Sequence, residues 1–352
     1  MHAQVGLLVG GRPAERVVGP AGDGRAALDA TSSANEAGRG PIRPRSEEIM
    51  MDDSRSRTVV VGVDDSASAR DAAEWAADVA ALWAAPLHLV HVVPGAVSDS
   101  PITLHPGWLN ELCDSAVRAG ADPENTEVVP GDTVDLLAAR TTEARLLVLG
   151  SYGTGARAGM LAGSAALRLI ERVHCPVVVV RGSAPQIPPP RSGPIVVGVD
   201  GTPFGQAALQ FAADLADSLG TRLVAVHTWT DVAVDRRGGM HRIADDEVAL
   251  SEQAAARLDA ALAPVMAEHP GLRVERSITG DTPLRALMKA AEEARLVVVG
   301  HRSARPDRSM ALGSTSQALV EFAPCPVAVI KPAGERRPST TAVTDEDRDL
   351  IR

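Results

Sequence analysis

Leu146–Val180 reads LLVLGSYGTGARAGMLAGSAALRLIERVHCPVVVV, and the order of residue types in it decides the fold. A short apolar run, Leu146–Leu149, stops at Gly150, and a glycine-rich loop follows. Gly163-Ser164 then opens a stretch with helical spacing of apolar residues, and Cys175-Pro176 leads into a second apolar run. Strand, loop, helix, strand is half of an α/β unit whose ligand-facing turn lies in the middle. Gly150 and Gly153 let the backbone come close to a ligand with no Cβ in the way. Gly163-Ser164 stands where the unbonded N–H groups and positive dipole end of the next helix would meet an anion. The stretch points to a phosphate.

Working outward, the chain has 352 residues, enough for two domains of ordinary size. Aromatic residues make up only 2%, so the cores must be built from Ala, Val and Leu, which suits parallel sheets covered by helices. A formal net charge of −10 argues against nucleic acid or an anionic membrane as the main partner. The three cysteines are far apart and form no C-x-x-C pair, so neither a disulfide framework nor a zinc site is expected, and Cys175 and Cys325 read as small buried residues. The longest apolar stretch, Ala76–Val93, carries Asp78 and is broken by Pro86, which makes it a helix followed by a strand rather than a membrane span. No basic flank and apolar core of a signal peptide stands at the N-terminus. A cytoplasmic protein is expected.

Residues 1–56 are rich in Gly, Pro, Arg and Ser without periodic apolar pattern and read as disordered, with Met50 or Met51 the expected natural start. Order begins at Thr58. Val59–Val63 reads as a buried strand ending at Asp64, and Ser66 or Ser68 can cap the next helix. Ala69–Ala84 has helical spacing, with Trp75, Val79 and Leu82 inward, and Leu87–Val93 is a second strand. Ser98–Gly120 contains a helix with Trp108, Leu112 and Val117 toward the sheet; Glu127–Val129 is a short strand; Asp132–Glu143 is a helix with Val134, Leu137 and Ala138 inward. Right-handed crossovers turn this βαβαβαβαβ pattern into a parallel sheet with helices on both faces.

The pattern then returns. TVVVGVDDSASARDAAEWAADVA, from Thr58, is matched by PIVVGVDGTPFGQAALQFAADLA, from Pro194. Asp64 aligns with Asp200, Trp75 with Phe211 and His91 with His227, and Gly131-Asp132-Thr133 returns as Gly280-Asp281-Thr282 after an insertion. The expected organisation is a disordered segment at 1–56, a first domain at 57–182, a semi-rigid proline-rich linker at 183–192, a second domain at 193–332, and a polar tail at 333–352.

In a doubly wound sheet, ligands sit beyond the carboxyl ends of the strands where strand order reverses. Asp64 and the Gly150 loop both lie at such ends. Asp64 either accepts hydrogen bonds from a ribose or base, or serves as a helix-capping carboxylate. Gly150, Gly153, Gly163 and Ser164 form the polyphosphate cradle in the ligand reading, while Ser164 alone would be an N-cap in the other. His91 and His227 read as packing or turn residues, and no cluster has metal-ligand spacing. The chain contains no G-x-x-x-x-G-K-[ST] and no G-x-S-x-G, and no nucleophile, base and orienting group converge, so no enzyme activity is expected.

Together these features resemble the universal stress protein family in its tandem, actinobacterial form. Nucleotide-binding members carry G-x2-G-x9-G-[ST], matched here by Gly150, Gly153 and Gly163-Ser164. The VVVGVDDS opening, the LVHVV second strand, the PGD turn and the HCPVVVVR ending match as well. The resemblance implies two doubly wound five-stranded parallel sheets of order 3-2-1-4-5, and ATP, alone or with Mg, as the ligand. It implies ATP contacts from Asp64, Val92, Gly150, Gly153, Gly163 and Ser164, and from Asp200, Gly300, Gly313 and Ser314 in the second copy. In the second copy Ser303 replaces the middle glycine, and weaker binding is expected there on the grounds that the position needs a left-handed backbone or an unfilled Cβ direction. The implied role is an ATP-binding sensor in a stress or dormancy response. The alternatives are a nucleotide-independent interaction module and a slow ATPase. The two last strands, Val177–Val180 and Val327–Ile330, are expected to pair edge to edge, and a homo-oligomer is expected.

Overall fold

The computed structural model describes residues 58–94, 105–153, 163–184, 187–229, 232–234, 240–242, 247–301 and 312–332. The expected disordered segment at 1–56, the tail at 333–352, Ser303 and the Thr154–Ala156 segment all lie outside these. The first copy runs β1 (Val59–Val63), α1 (Ala67–Trp83), β2 (Pro86–Val93), α2 (Gly107–Arg118), β3 (Asp122–Pro130), α3 (Thr133–Arg140), β4 (Leu146–Gly150), α4 (Ser164–Arg172) and β5 (Val177–Val180). The second runs β6 (Ile195–Gly198), α5 (Pro203–Ser218), β7 (Leu223–Thr228), β8 (Val232–Val234), β9 (Met240–Arg242), α6 (Glu247–Glu268), β10 (Val274–Thr279), α7 (Pro283–Ala291), β11 (Leu296–Gly300), α8 (Ser314–Phe322) and β12 (Val327–Ile330).

Strand order in the first copy is β3-β2-β1-β4-β5, with every neighbour parallel, and the second copy repeats it as β10-β7-β6-β11-β12. This is the order that the family resemblance implies. The two halves form one ten-stranded sheet, because β5 pairs antiparallel with β12 in the register Val179–Val327, Val178–Ala328 and Val177–Val329. The inserted pair β8 and β9 makes a separate two-stranded ribbon.

The strands are near-continuous apolar runs because both faces are covered. Side-chain alternation sorts them into two layers. Val59, Val61, Val178 and Val180 join the core under α1, α2, α5 and α6, while Val60, Val177 and Val179 join the core under α3, α4, α7 and α8. Both cores run through the seam from one copy into the other. Burying each Val or Leu contributes about 1.5–3 kcal/mol, so no aromatic-rich centre is needed.

Three details differ from the expected pattern. Val117 is 59% exposed, because the buried stripe of α2 is Leu109, Leu112 and Ala116 and the next residue is turned away from it. Leu82 is also partly solvated, at 38% exposed; Val79, Ala80 and then the half-buried Trp83 continue the inner stripe of α1. β3 is longer than Glu127–Val129, starting at Asp122, since an edge strand can carry polar residues on its wet side.

A pseudo-twofold relates the contacts across the seam. Arg181, just after β5, donates from Nη1 to the carbonyls of Val320 (3.1 Å) and Glu321 at the end of α8. Lys331, just after β12, donates from Nζ to Glu171 O (2.9 Å) and Val173 O (2.7 Å) at the end of α4. Each copy thus caps a helix of the other. On the opposite layer, Trp83 of α1 meets Phe211 of α5 edge-on, and Arg145 lies 3.9 Å over the Trp83 ring. Burial pushes the Arg145 and Arg295 guanidiniums below the ordinary arginine value, opposed by Asp214 for the first and Asp78 for the second. From the linker, Arg191 binds Asp78 (2.9 Å) and Glu74, holding that segment against α1.

Candidate functional site

β1 and β4 are neighbours whose carboxyl ends open the crevice where strand order reverses. Asp64 follows β1 directly and is half-buried. Its Oδ1 accepts from Ser66 N (3.1 Å). Its Oδ2 lies so close to Gly153 that a Cβ on that glycine would stand 2.6 Å away. The two residues singled out from distant parts of the sequence therefore meet across the crevice.

Ser66 caps α1, accepting from Ala69 N (3.1 Å), and spends its single hydroxyl proton on Tyr152 O (3.3 Å). Ser68, buried two residues on, accepts from Ser151 N (2.7 Å) and lies 3.3 Å from the Ser151 hydroxyl. The loop start is thus fastened to the first turn of α1 by two serines. The sequence offered Ser66 and Ser68 only as caps and did not single out Ser151; a polar residue at a strand end, opposite another on the crossing helix, was the available signal.

Gly150 also has a purpose within the fold. A Cβ there would meet Ser68 Oγ at 2.7 Å and the Ser68 backbone at 2.8 Å, so the missing side chain is what admits helix α1. Gly153 is not among the residues with a positive φ, so its need is for space beside Asp64 and not for a left-handed backbone. Gly163 is the N-cap of α4 at φ −68° and ψ 137°, and its N–H is bonded to Ser151 O (2.6 Å), which closes the loop on itself. The donor capacity of this end belongs instead to the first turn of α4, beginning at the exposed Ser164. Among the described residues no side chain caps that turn, and no acidic residue lies in it. Such an end favours an anion by about 0.3–1 kcal/mol when solvated. Val92 sits at the carboxyl end of β2, in register with Val129 of β3, with its side chain buried in the core. His91 Nδ1 bonds Val63 O (2.9 Å) and its ring meets Trp108 edge-on, the packing role expected of it.

The second copy repeats the frame with different fittings. Gly313 N donates to His301 O (2.9 Å), and Ser314 starts α8, again without a first-turn acid or, among the described residues, a side-chain cap. Gly300 admits Phe204, whose Cβ lies 2.8 Å from where its own would be. Phe204 and the buried His301 stand where the first copy has Ser68 and Ser151. Asp200 is exposed, and its Oδ1 accepts from both Thr202 N (3.0 Å) and Thr202 Oγ (2.6 Å). The weaker-binding expectation placed on Ser303 falls on a residue outside those described.

Burial pushes the thiols of Cys175 and Cys325 up to about 12, which keeps both protonated and unreactive at neutral pH. Among the described residues no group of three His, Cys, Asp or Glu side chains could hold a metal ion, and no helix is long and apolar enough to cross a membrane.

The sequence profile of the universal stress protein family matches residues 55–181 and 192–331. Two universal stress proteins of Mycobacterium tuberculosis strain H37Rv are 34% identical over 298 residues and 35% identical over 289 residues. The first alignment covers 80% of this chain and 99% of the relative, the second 78% and 96%. A crystal structure of a universal stress protein from Archaeoglobus fulgidus superimposes with a TM-score of 0.57 at 21% identity, over 79% of this chain and 99% of that one, and shows the same fold.

Proposed function

The chain belongs to the universal stress protein family, and from that premise we propose that its first copy binds ATP, alone or with Mg, as a sensor or store of nucleotide in a stress or dormancy response. The observation that carries this reading is the meeting of Asp64 with Gly153 across the β1–β4 crevice, one loop away from the uncapped start of α4. A carboxylate accepts hydrogen bonds from ribose hydroxyls, and a helix start with no acid in its first turn takes phosphate oxygens. A nucleoside polyphosphate carries both groups, a ribose for the carboxylate and phosphates for the helix start. The reading includes no turnover of the nucleotide, a cytoplasmic location, and association of whole chains into a homo-oligomer.

The test is extraction of bound nucleotide from full-length protein purified without added ATP, followed by mass identification and calorimetry with ATP. Recovery of ATP and saturable heat are expected. A chain that carries no nucleotide and gives no heat with ATP overturns the proposal. Steady ADP production on long incubation overturns the part that excludes turnover.

A further inference from the structure

The hydroxyl of Ser68 holds a place in the first copy that the fold itself leaves optional. Ser151, the residue after β4, already has a partner for its N–H in the sheet, Val180 O of β5 (3.1 Å). Ser68 Oγ accepts the same N–H at 2.7 Å and lies 3.3 Å from the Ser151 hydroxyl, where either oxygen can be the donor. Both serines are buried, Ser68 at 2% exposure and Ser151 at 3%. The Ser151 carbonyl in turn accepts from Gly163 N (2.6 Å), the N-cap of α4. A continuous line of hydrogen bonds thus runs from the first turn of α1, through the residue ending β4, to the start of α4.

In the second copy Phe204 and His301 stand in the places of Ser68 and Ser151, and neither side chain has a hydroxyl. His301 N still bonds to β12 at Ile330 O (2.8 Å), and Gly313 N still bonds to His301 O (2.9 Å). The start of α8 has a fastening of its own, Ser316 Oγ to Gly300 O (2.7 Å), where the first copy has Ala166. The same fold therefore closes its strand end and its helix start without the serine pair. What the pair adds in the first copy is a second anchor on Ser151 and, through its carbonyl, on the start of α4.

We propose that Ser68 is a positioning residue for phosphate in the first copy: through Ser151 it fixes where the N–H groups of the first turn of α4 stand, without touching the ligand itself. This rests on the nucleotide-binding reading of the first copy. A buried hydroxyl pair suits the task, because a shift of either partner leaves a polar group unsatisfied away from water. Backbone N–H groups that receive phosphate need such placement, since hydrogen bonds weaken steeply away from good geometry. Asp64, which would meet the ribose, precedes α1 and is bonded to Ser66 N (3.1 Å), outside this line.

The experiment is calorimetry of the full-length natural chain, Ser68→Ala and Ser151→Ala with ATP and with adenosine, which has the same base and ribose and carries no phosphate. Ser68→Ala keeps the bonds from Ser151 N to Val180 O and from Gly163 N to Ser151 O, the pair of bonds with which the second copy folds, and is expected to fold. It should weaken the tighter ATP site about fivefold, as one lost hydrogen bond would, and leave adenosine binding unchanged. Ser151→Ala removes only the contact between hydroxyls and keeps the 2.7 Å bond to Ser68, so it should weaken ATP less. An ATP affinity unchanged in Ser68→Ala, an equal loss for ATP and adenosine, or a greater loss in Ser151→Ala than in Ser68→Ala would each overturn the inference while leaving the nucleotide reading intact. A natural chain that binds no ATP overturns both.

Discussion

At the scale of single residues, the crevice depends on what is missing at Gly153. A side chain there would press on the Asp64 carboxylate, so Gly153→Ser is expected to weaken ATP binding at the first copy about tenfold, about 1.4 kcal/mol, as read by calorimetry on the full-length chain. An unchanged affinity would mean the carboxylate can swing aside at no cost. The cysteines give a second residue-level outcome. Cys113 is partly exposed, whereas Cys175 and Cys325 are buried and held protonated, so a thiol reagent should modify Cys113 alone in the native protein and all three after unfolding. Modification of Cys175 at the rate of Cys113 would contradict the packing described. Asp64 and the glycine spacing were legible in the sequence because strand ends and helix starts are marked by local residue types. The tasks of the individual glycines were not. The partner that forces Gly150, Ser68, lies on a helix far upstream, and only the crossing of α1 over β4 brings them together.

Among the elements, α5 and α6 are joined by a charged clamp. His269, at the end of α6, places Nε2 2.9 Å from Asp214 and Nδ1 3.1 Å from Asp217. Burial works against its charge, but the hydrogen bonds it donates to Asp217 and Asp214 outweigh this and hold its pKa above the ordinary 6.5. A group whose folded pKa is raised contributes stability that is complete below 6.5 and is lost as pH rises through the raised value. His88 has the opposite sign: burial pushes it below 6.5, with Glu127 opposing, so its contribution falls as pH drops below 6.5. Thermal melts across this range should therefore show that His269→Gln removes a loss of stability on the alkaline side and leaves the acid-side loss in place. Identical pH profiles for the two proteins would dismiss the clamp. The helices themselves were legible from apolar spacing, but β3 was read too short because an edge strand needs no alternating apolar face. The pairing of His269 with two aspartates on another helix has no local signature at all.

At the scale of the whole molecule, the seam between copies is secured by the two reciprocal caps. Arg181 is only 9% exposed, and Arg181→Ala would leave the carbonyls of Val320 and Glu321 without that donor at a cost of about 1–3 kcal/mol. Lys331 is more exposed, so Lys331→Ala should cost less; urea unfolding of both variants checks the order, and a larger loss for Lys331→Ala would reverse it. The parallel sheet of each half was legible from the alternating strands and helices, its strand order only from the family resemblance, and the junction was expected because the last strand of each half is an apolar edge. The caps across it were hidden, since Arg181 and Lys331 look like ordinary basic residues ending a strand. The seam also changes the law by which the halves stay together. Two separate chains meeting along such an edge would obey mass action and part on dilution, whereas a tether of a few residues sets a local concentration in the millimolar range however dilute the solution. Cutting the chain once within residues 183–192 should therefore leave the fragments together at high concentration and make their separation, for the first time, depend on how much protein is in the tube.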